Sequence, residues 1–548
     1  MIFQFIFFIS TLAFDPSKFK DITIYEIQVA SYFNGDNSIN FQKSWGPDTT
    51  NWGGDLQGII NNIPKISQMG FNALWLTPIF NTKYEDNQKN IAYCEKHSSC
   101  GYSVADYYNI DPHFGTNDKF KELVKTAHDN NIYVILDGVF GHIKPTICGT
   151  GIPVHNGKSP ICRENNCTAT SEKSLMDYNK NETLDFFINV AKHWIREYKI
   201  DGWRLDAPYE LTKTLNDDHA HADTIRDNIV YKFREAVELA ADENKQNGDK
   251  WGILGYMMTD EKFDEAQKVV NWYGEGNKKT AYTWYDWPAV KKFRNTILQT
   301  FEESKGPKFD EMISSMKYIN QYPQWSYPIF CSANHDFLRL GNSINIRWGY
   351  KPDNQKYWDM HLAFQMYEVM YPGLISLYYG EETGEFLEGY TKGGDKGAYD
   401  DNAGRTNPTP EANLSEKQKN HRNNIKSLLK WRKDHPIFSC RDCATEGKEQ
   451  NGLFVVKRKV KADSKDKVKT LYYILNLNKN EKKINLNQQG SFVDVLKSTN
   501  LDLTKEITIP GHSSLLVATN PNESPKNPNN GTSFTMILLI IGLLLIFI

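Results

Sequence analysis

The sequence predicts an α/β protein: a (β/α)8 (TIM) barrel with an inserted irregular domain after its third strand and a C-terminal antiparallel β-sandwich domain. Three observations predict it. Short, nearly continuous apolar runs alternate with amphipathic helices, the pattern of a parallel sheet covered on both faces. A long stretch without periodicity breaks the alternation after the third strand, and such insertions in compact domains are commonly functional. Beyond Asp434 the pattern turns to β-runs without intervening helices.

The elements follow in order. Residues 22–27 form the first strand candidate, followed by a helix at 56–69 and a strand at 73–76. A helix at 118–130 leads into a strand at 133–139, one at 183–198 into 202–205, and one at 225–241 into 252–257. So many strand–helix units favour a closed barrel over an open doubly wound sheet. No Gly-rich phosphate loop follows the first strand, which counts against a dinucleotide fold. The stretch 143–176 is rich in Gly, Pro, Ser and Cys, and β-runs at 453–458, 470–475 and 513–518 make the sandwich. The expected organisation is therefore a signal peptide (1–16), barrel (20–142), inserted domain (143–180), barrel (181–433), β domain (434–519), polar linker (520–533) and hydrophobic tail (534–548).

With 24 % charged residues and a net charge of −3, the 548-residue chain has no basic excess to engage nucleic acid. Aromatics reach 13 %, which suits stacking on sugar faces and equally suits core packing. The first 14 residues are nearly all apolar and too short to span a bilayer, so they read as a secretory signal. The apolar C-terminal run reads as a glycolipid-anchor signal or a short membrane-anchoring tail. These ends predict the secretory pathway and attachment at the cell surface.

Eight cysteines fit an oxidising compartment. Cys94 with Cys100, and Cys440 with Cys443, are near enough in sequence to pair locally, while Cys148, Cys162 and Cys167 share one loop-like segment. Disulfides are favoured over metal binding because no second His/Cys cluster is present. Sequons at Asn166, Asn181 and Asn413 agree with export and glycosylation.

Catalysis in such a barrel is expected at the C-terminal ends of the strands. There the sequence puts Asp137 with Gly141-His142, then Arg204, Asp206 and Ala207, then Asn334-His335-Asp336. Each could be a structural ion pair alone; arriving in order at successive strand ends, they describe converging carboxylates, a cation and two imidazoles.

This constellation resembles the α-amylase family of glycoside hydrolases, over about residues 23–515. The matching segments are Leu136-Asp137-Gly138-Val139-Phe140-Gly141-His142, Asp201-Gly202-Trp203-Arg204-Leu205-Asp206-Ala207 and Ala333-Asn334-His335-Asp336. Gly54-Asp55-Leu56-Gln57-Gly58, Gly101-Tyr102-Ser103 and Tyr378-Tyr379-Gly380-Glu381-Glu382 support them. The resemblance implies Asp206 as nucleophile of a retaining mechanism and Asp336 as transition-state stabiliser. It further implies substrate contacts from Tyr102, His142, Arg204 and His335. The Asp206 to Glu210 run is nearest to neopullulanase-like and cyclomaltodextrinase-like members, so short or branched α-glucans or oligosaccharides with α-1,4 or α-1,6 bonds are the expected substrates.

One segment departs. Where the family's fifth strand ends in Gly-Glu, with Glu as general acid, this chain reads Gly255-Tyr256. Tyr256 at the acid position would be a weak donor, with a pKa of about 10 against about 4.3 for Glu. Asp260 or Glu275 could substitute. The departure motivates an alternative: an amylase-like surface glycoprotein that binds glucan or a partner without catalysis. The resemblance also implies a structural Ca2+ held by Asn34, Asp36, Asn40, Gly53 and Asp55, the other reading being a loop closed by Asx turns. A second family calcium site is doubtful because Gly141 and Tyr209-Glu210 replace its usual ligands, leaving only Asp177.

Overall fold

The computed structural model describes residues 19–39, 53–83, 100–168, 173–211, 229–259, 265–276, 278–298, 309–388 and 404–522. The expected signal segment, Asn40, Cys94, Asp260 and most of the linker and tail lie outside them.

The barrel strands are β1 (Thr23–Ile27), β2 (Ala73–Leu76), β3 (Tyr133–Gly138), β4 (Gly202–Leu205), β5 (Tyr256–Thr259), β6 (Thr283–Trp284), β7 (Ile329–Phe330) and β8 (Leu374–Tyr378). They form one sheet in the order β6-β5-β4-β3-β2-β1-β8-β7, all neighbours parallel. A parallel bridge between Tyr285 and Ile329 joins the two edges, so the sheet is nearly closed. β2 and β8 are buried at every position, as strands flanked by core on both faces must be.

Ten helices are described: α1 (Leu56–Met69), α2 (Asn117–Asp129), α3 (Asn181–Tyr198), α4 (Val230–Gln246), α5 (Ala266–Tyr273), α6 (Trp287–Leu298), α7 (Asp310–Ser315), α8 (Leu340–Trp348), α9 (Gln355–Val369) and α10 (Glu416–Asp434). α1 shows why they form. Asp55 caps its start by accepting from Gly58 N, Ile59, Ile63 and Ile66 recur at helical spacing and are buried, and Gly70 ends it in the left-handed region at φ 106°. None of the described helices is long and apolar enough to cross a membrane.

The fifth strand starts later than the sequence suggests. Gly252 and Gly255 sit at φ +69° and +62°, left-handed values no strand residue adopts, so 252–255 is irregular and β5 begins at Tyr256. Apolar composition marked this segment, but glycine's backbone freedom diverted its first half. Tyr256 therefore opens the strand instead of closing it.

The inserted stretch after β3 holds a two-residue antiparallel pairing of His142–Ile143 with Ser174–Leu175, 3-10 turns and the disulfide Cys162–Cys167. At the far end, β9 (Ala444–Gln450), β10 (Leu453–Lys459), β11 (Thr470–Asn476), β12 (Lys482–Asn485), β13 (Phe492–Asp494), β14 (Asn500–Leu501), β15 (Glu506–Ile509) and β16 (Ser513–Thr519) make two antiparallel sheets. Alternation along the strands serves two cores. Leu453, Val455, Tyr472 and Ile474 fill the sandwich, while Phe454, Val456 and Tyr473 join the barrel's core. The disulfide Cys440–Cys443 stands where the two domains meet.

Candidate active site

The site grows from strand register. Asp137 on β3 lies opposite Arg204 on β4, and alternation sends both side chains the same way, while Trp203 points outward to donate to Ala191 O on α3 at 3.1 Å. Arg204 Nη1 consequently donates to Asp137 Oδ1 and Oδ2 at 2.8 and 2.9 Å, and to Asp206 Oδ1 at 3.0 Å. The guanidinium lies 5.0 Å from the Trp75 ring on β2, within reach of a cation–π attraction.

A second line of contacts crosses the barrel mouth. The Tyr102 hydroxyl donates to Asp137 Oδ2 at 2.9 Å and lies 2.8 Å from His335 Nε2, and its ring stacks on His335 with centroids 5.6 Å apart. His335 Nδ1 lies 2.8 Å from Glu26 Oε1 on β1, and Glu26 also accepts from His335 N. Asn334 Oδ1 accepts from Asp336 N, an Asx turn that projects Asp336. Arg405 fixes Asp336 from another loop, donating to its Oδ1 at 3.2 Å and to His335 O at 2.9 Å.

Burial sorts these groups. Side chains of Asp137, Glu26, Arg204 and His335 are at most 3 % exposed, whereas Asp206 and Asp336 keep 20 % and 27 %. The two reachable carboxylates are thus held by buried cations. Burial pushes the Asp137 carboxyl up to about 7 despite Arg204, and raises Glu26 despite its bonds to His335. For His335, burial opposes the charge, but Asp336 and Glu26 outweigh it and raise the imidazole.

After Asp206 the chain turns sharply. Ala207 takes φ 41°, ψ 58°, a left-handed conformation costing roughly 1–2 kcal/mol outside glycine. The turn returns Glu210 beneath His142, whose Nδ1 lies 2.7 Å from Glu210 Oε2 and whose Nε2 lies 3.0 Å from Tyr102 O. Lys173 of the insertion pairs with the other Glu210 oxygen. Burial alone would raise Glu210, but His142 and Lys173 overcome it and hold the carboxyl at about 2. A Cβ on Gly141 would lie 2.4 Å from Glu210 Cβ and Oε2, so glycine is what lets Glu210 reach His142. Both His142 nitrogens face protein oxygens, which ties this residue to Glu210 and to the Tyr102 backbone.

Tyr256 stands apart from this network. It pairs with Gly202, four residues before Asp206, a distance of roughly 13 Å along a strand. Its hydroxyl donates to Thr283 Oγ1 at 2.7 Å, its ring packs 5.3 Å from Phe19, and it is fully buried. Tyr256 thus stands at the first position of β5, its hydroxyl turned to Thr283. Glu275 is exposed beyond α5.

Of the residues expected to hold calcium, Asn40 lies outside the described residues, and the others make these contacts. Asp55 accepts from Gly35 N, Asp36 N and Gly58 N, so its oxygens face amide donors. Asp36 accepts from Ser38 N and Oγ, and Gly53 N donates to Ala30 O. Asn34 lies on the outer surface. Asp177 likewise accepts from Asn179 N.

Sequence reasoning missed Glu26, Arg405 and the use made of Glu210. A carboxylate in the middle of Thr-Ile-Tyr-Glu-Ile was a usable signal, because charge inside a buried strand needs a partner. Arg405 offered none, since it acts 69 residues from Asp336.

The family description "Alpha amylase, catalytic domain" matches residues 16–147 and 168–489. The chain is 29 % identical over 400 residues to a cyclomaltodextrinase of Thermoanaerobacter pseudethanolicus, covering 68 % of this chain and 58 % of that protein. It is 29 % identical over 272 residues to an intracellular maltogenic amylase of Bacillus subtilis, covering 46 % of this chain and 41 % of that one. The chain thus spans about half the length of these relatives. Among solved structures, AmyP in complex with maltose superposes with a TM-score of 0.75 at 27 % identity, over 93 % of this chain and 99 % of that one. The Bacillus subtilis relative is named as intracellular, and that finding overturns the expectation of secretion and surface attachment.

Proposed function

As a member of the α-amylase family, the chain, we propose, cleaves or transfers α-glucosidic bonds of α-glucans and maltooligosaccharides with retention of configuration. The observation that carries the reading is Asp206: partly open at the barrel mouth, its Oδ1 3.0 Å from the buried Arg204. A carboxylate so held faces an incoming sugar with a buried guanidinium behind it.

In the first step Asp206 bonds to the anomeric carbon as the bond to the leaving oxygen breaks, and that oxygen takes a proton from a neighbouring acid. Asp336, set by Arg405 and Asn334, grips sugar hydroxyls and favours the flattened, positively charged transition state. In the second step water or another sugar gives up a proton to the same acid–base group, bonds to the anomeric carbon, and frees Asp206. Retention needs nucleophile and acid about 5–5.5 Å apart, close to the roughly 4.8 Å between neighbouring strands. Leu205 pairs with Thr259, and the residue that follows Thr259 in sequence is the carboxylate Asp260. We assign the acid to Asp260. The non-catalytic alternative finds no support among the relatives, which are named as a cyclomaltodextrinase and a maltogenic amylase.

The relatives named for cyclomaltodextrin and the neighbour holding maltose support short α-glucans as substrates. The test is a fluoride-activated glucosyl donor with the 2-position deactivated, followed by peptide mass analysis. A glycosyl adduct on Asp206 is expected; an adduct elsewhere, or none with any α-glucosyl donor, overturns the reading.

A further inference from the structure

A second cavity lies outside the barrel wall. Successive residues of β1 face opposite ways: Glu26 faces His335 in the catalytic mouth, while Tyr25 faces outward and donates to Glu382 Oε1 at 2.7 Å. Above that pair, between α1 and the chain running from Pro408 to α10, opens a cavity of about 320 Å3. This is within the range of roughly 300–1,000 Å3 that small-molecule pockets occupy. Asp206, Arg204, Asp336, Tyr102 and His335 take no part in its lining.

Its chemistry narrows the ligand. Ile66, Met69, Pro408 and Leu414 supply apolar wall, with Tyr32 and Phe33 contributing rings. Asn34, Asn61 and Asn62 supply neutral amides at the rim. At the rim two cations share one anion: Arg422 grips both oxygens of Glu411 at 2.7 and 2.8 Å, and Lys65 adds a third contact at 3.5 Å. No phosphate or carboxylate ligand could take Arg422 without breaking that pair. At the floor both Glu382 oxygens are already engaged, accepting from the Tyr25 hydroxyl at 2.7 Å and from Gly380 N at 2.8 Å, and burial raises the carboxyl to about 7. Neutral polar groups beside aliphatic and aromatic faces match a molecule with hydroxyl edges and an apolar face, which is a pyranose.

We infer that this cavity is a second saccharide site, taking a glucosyl or maltosyl unit while the barrel mouth works on another. The choice of glucose rests on the proposed function. One stretch of chain touches both places: Arg405 holds Asp336 and His335, and Pro408 and Thr409, three and four residues on, line the cavity.

The test is calorimetric titration of the full chain with maltose, in an Asp206→Asn background that blocks turnover. Two maltose molecules per chain are expected. Asn61→Trp, on the exposed face of α1, should remove one of them, and Asn61→Ala should weaken the same one about tenfold or less; Tyr102→Ala should remove the other. One maltose per chain that only Tyr102→Ala abolishes overturns the second site and leaves the catalytic reading intact. No maltose bound at all overturns the glucan reading itself. Loss of both molecules on Asn61→Trp would show a single shared site and also defeat the inference.

Discussion

Arg204 holds Asp137 more closely than it holds Asp206: the same Nη1 lies 2.8 and 2.9 Å from the two oxygens of the first and 3.0 Å from one oxygen of the second. One cation thus balances two carboxylates, one sealed and one reachable. Replacing Arg204 with Leu strands a buried carboxylate, which typically costs about 3–5 kcal/mol. Denaturant unfolding should show that loss. Arg204→Lys should keep more of the stability than of the activity, because an ammonium cannot reproduce the planar fork.

Asp137 should make its own mark on stability against pH. Its folded pKa of about 7 exceeds the ordinary 3.8, so the folded protein holds this proton more tightly than the unfolded chain. The associated stability is full below about pH 4 and is lost as pH rises toward 7, at about 1.4 kcal/mol for each tenfold difference in proton affinity. Asp137→Asn cannot lose a proton. The stability of the variant relative to the unsubstituted protein should therefore improve between pH 4 and 7, by a few kcal/mol. A constant difference across that window would show that Asp137 is ionised throughout.

Glu210 has the opposite sign. Its pKa is depressed to about 2 from 4.5, so its contribution is present above pH 4.5 and disappears as pH falls toward 2. Glu210→Gln should lower stability at neutral pH by about 3 kcal/mol, and acid unfolding of the variant should be flatter between pH 4.5 and 2. Gly141→Ala should also destabilise, by about 1–3 kcal/mol, through overpacking against Glu210.

Tyr256 and Asp260 separate cleanly. Tyr256→Phe loses only a bond to Thr283 and should retain turnover within about threefold while losing about 1 kcal/mol of stability. Asp260→Asn should lower kcat on maltooligosaccharides about 10²–10⁴-fold, yet spare a glucosyl fluoride, whose leaving group needs no proton. Equal losses on both donors would remove Asp260 from the acid role.

Chelation gives a further contrast. Because the oxygens of Asp55 and Asp36 are engaged by amide and hydroxyl donors, treatment with EDTA should leave Tm unchanged. A fall of several degrees that added Ca2+ restores would mean the loop rearranges around an ion.

Most of the scaffold was legible because burial writes itself into apolar runs. α1 and β2 match their expected limits residue for residue, and the partners Asp137, Arg204 and Asp206 follow from strand-end position alone. β5 was misread because hydrophobicity cannot report φ: Gly252-Ile253-Leu254-Gly255 is apolar enough for a strand, yet two left-handed glycines make it irregular. The contacts of Arg405 and Glu210 were invisible for another reason. Each depends on loops that only the folded barrel brings together, so no local pattern encodes them.

The two-sided strands of the C-terminal sheet carry a practical consequence for dissecting this protein. Phe454, Val456 and Tyr473 belong to the barrel's interior as much as to their own sheet, and the Tyr473 hydroxyl donates to Ala363 O on α9. A truncation ending near Asp434 would leave a greasy scar on α9, and the excised sandwich would carry the matching one. Neither fragment should remain dispersed in solution alone, so shortened versions of the protein are better made by trimming loops than by dropping the last domain.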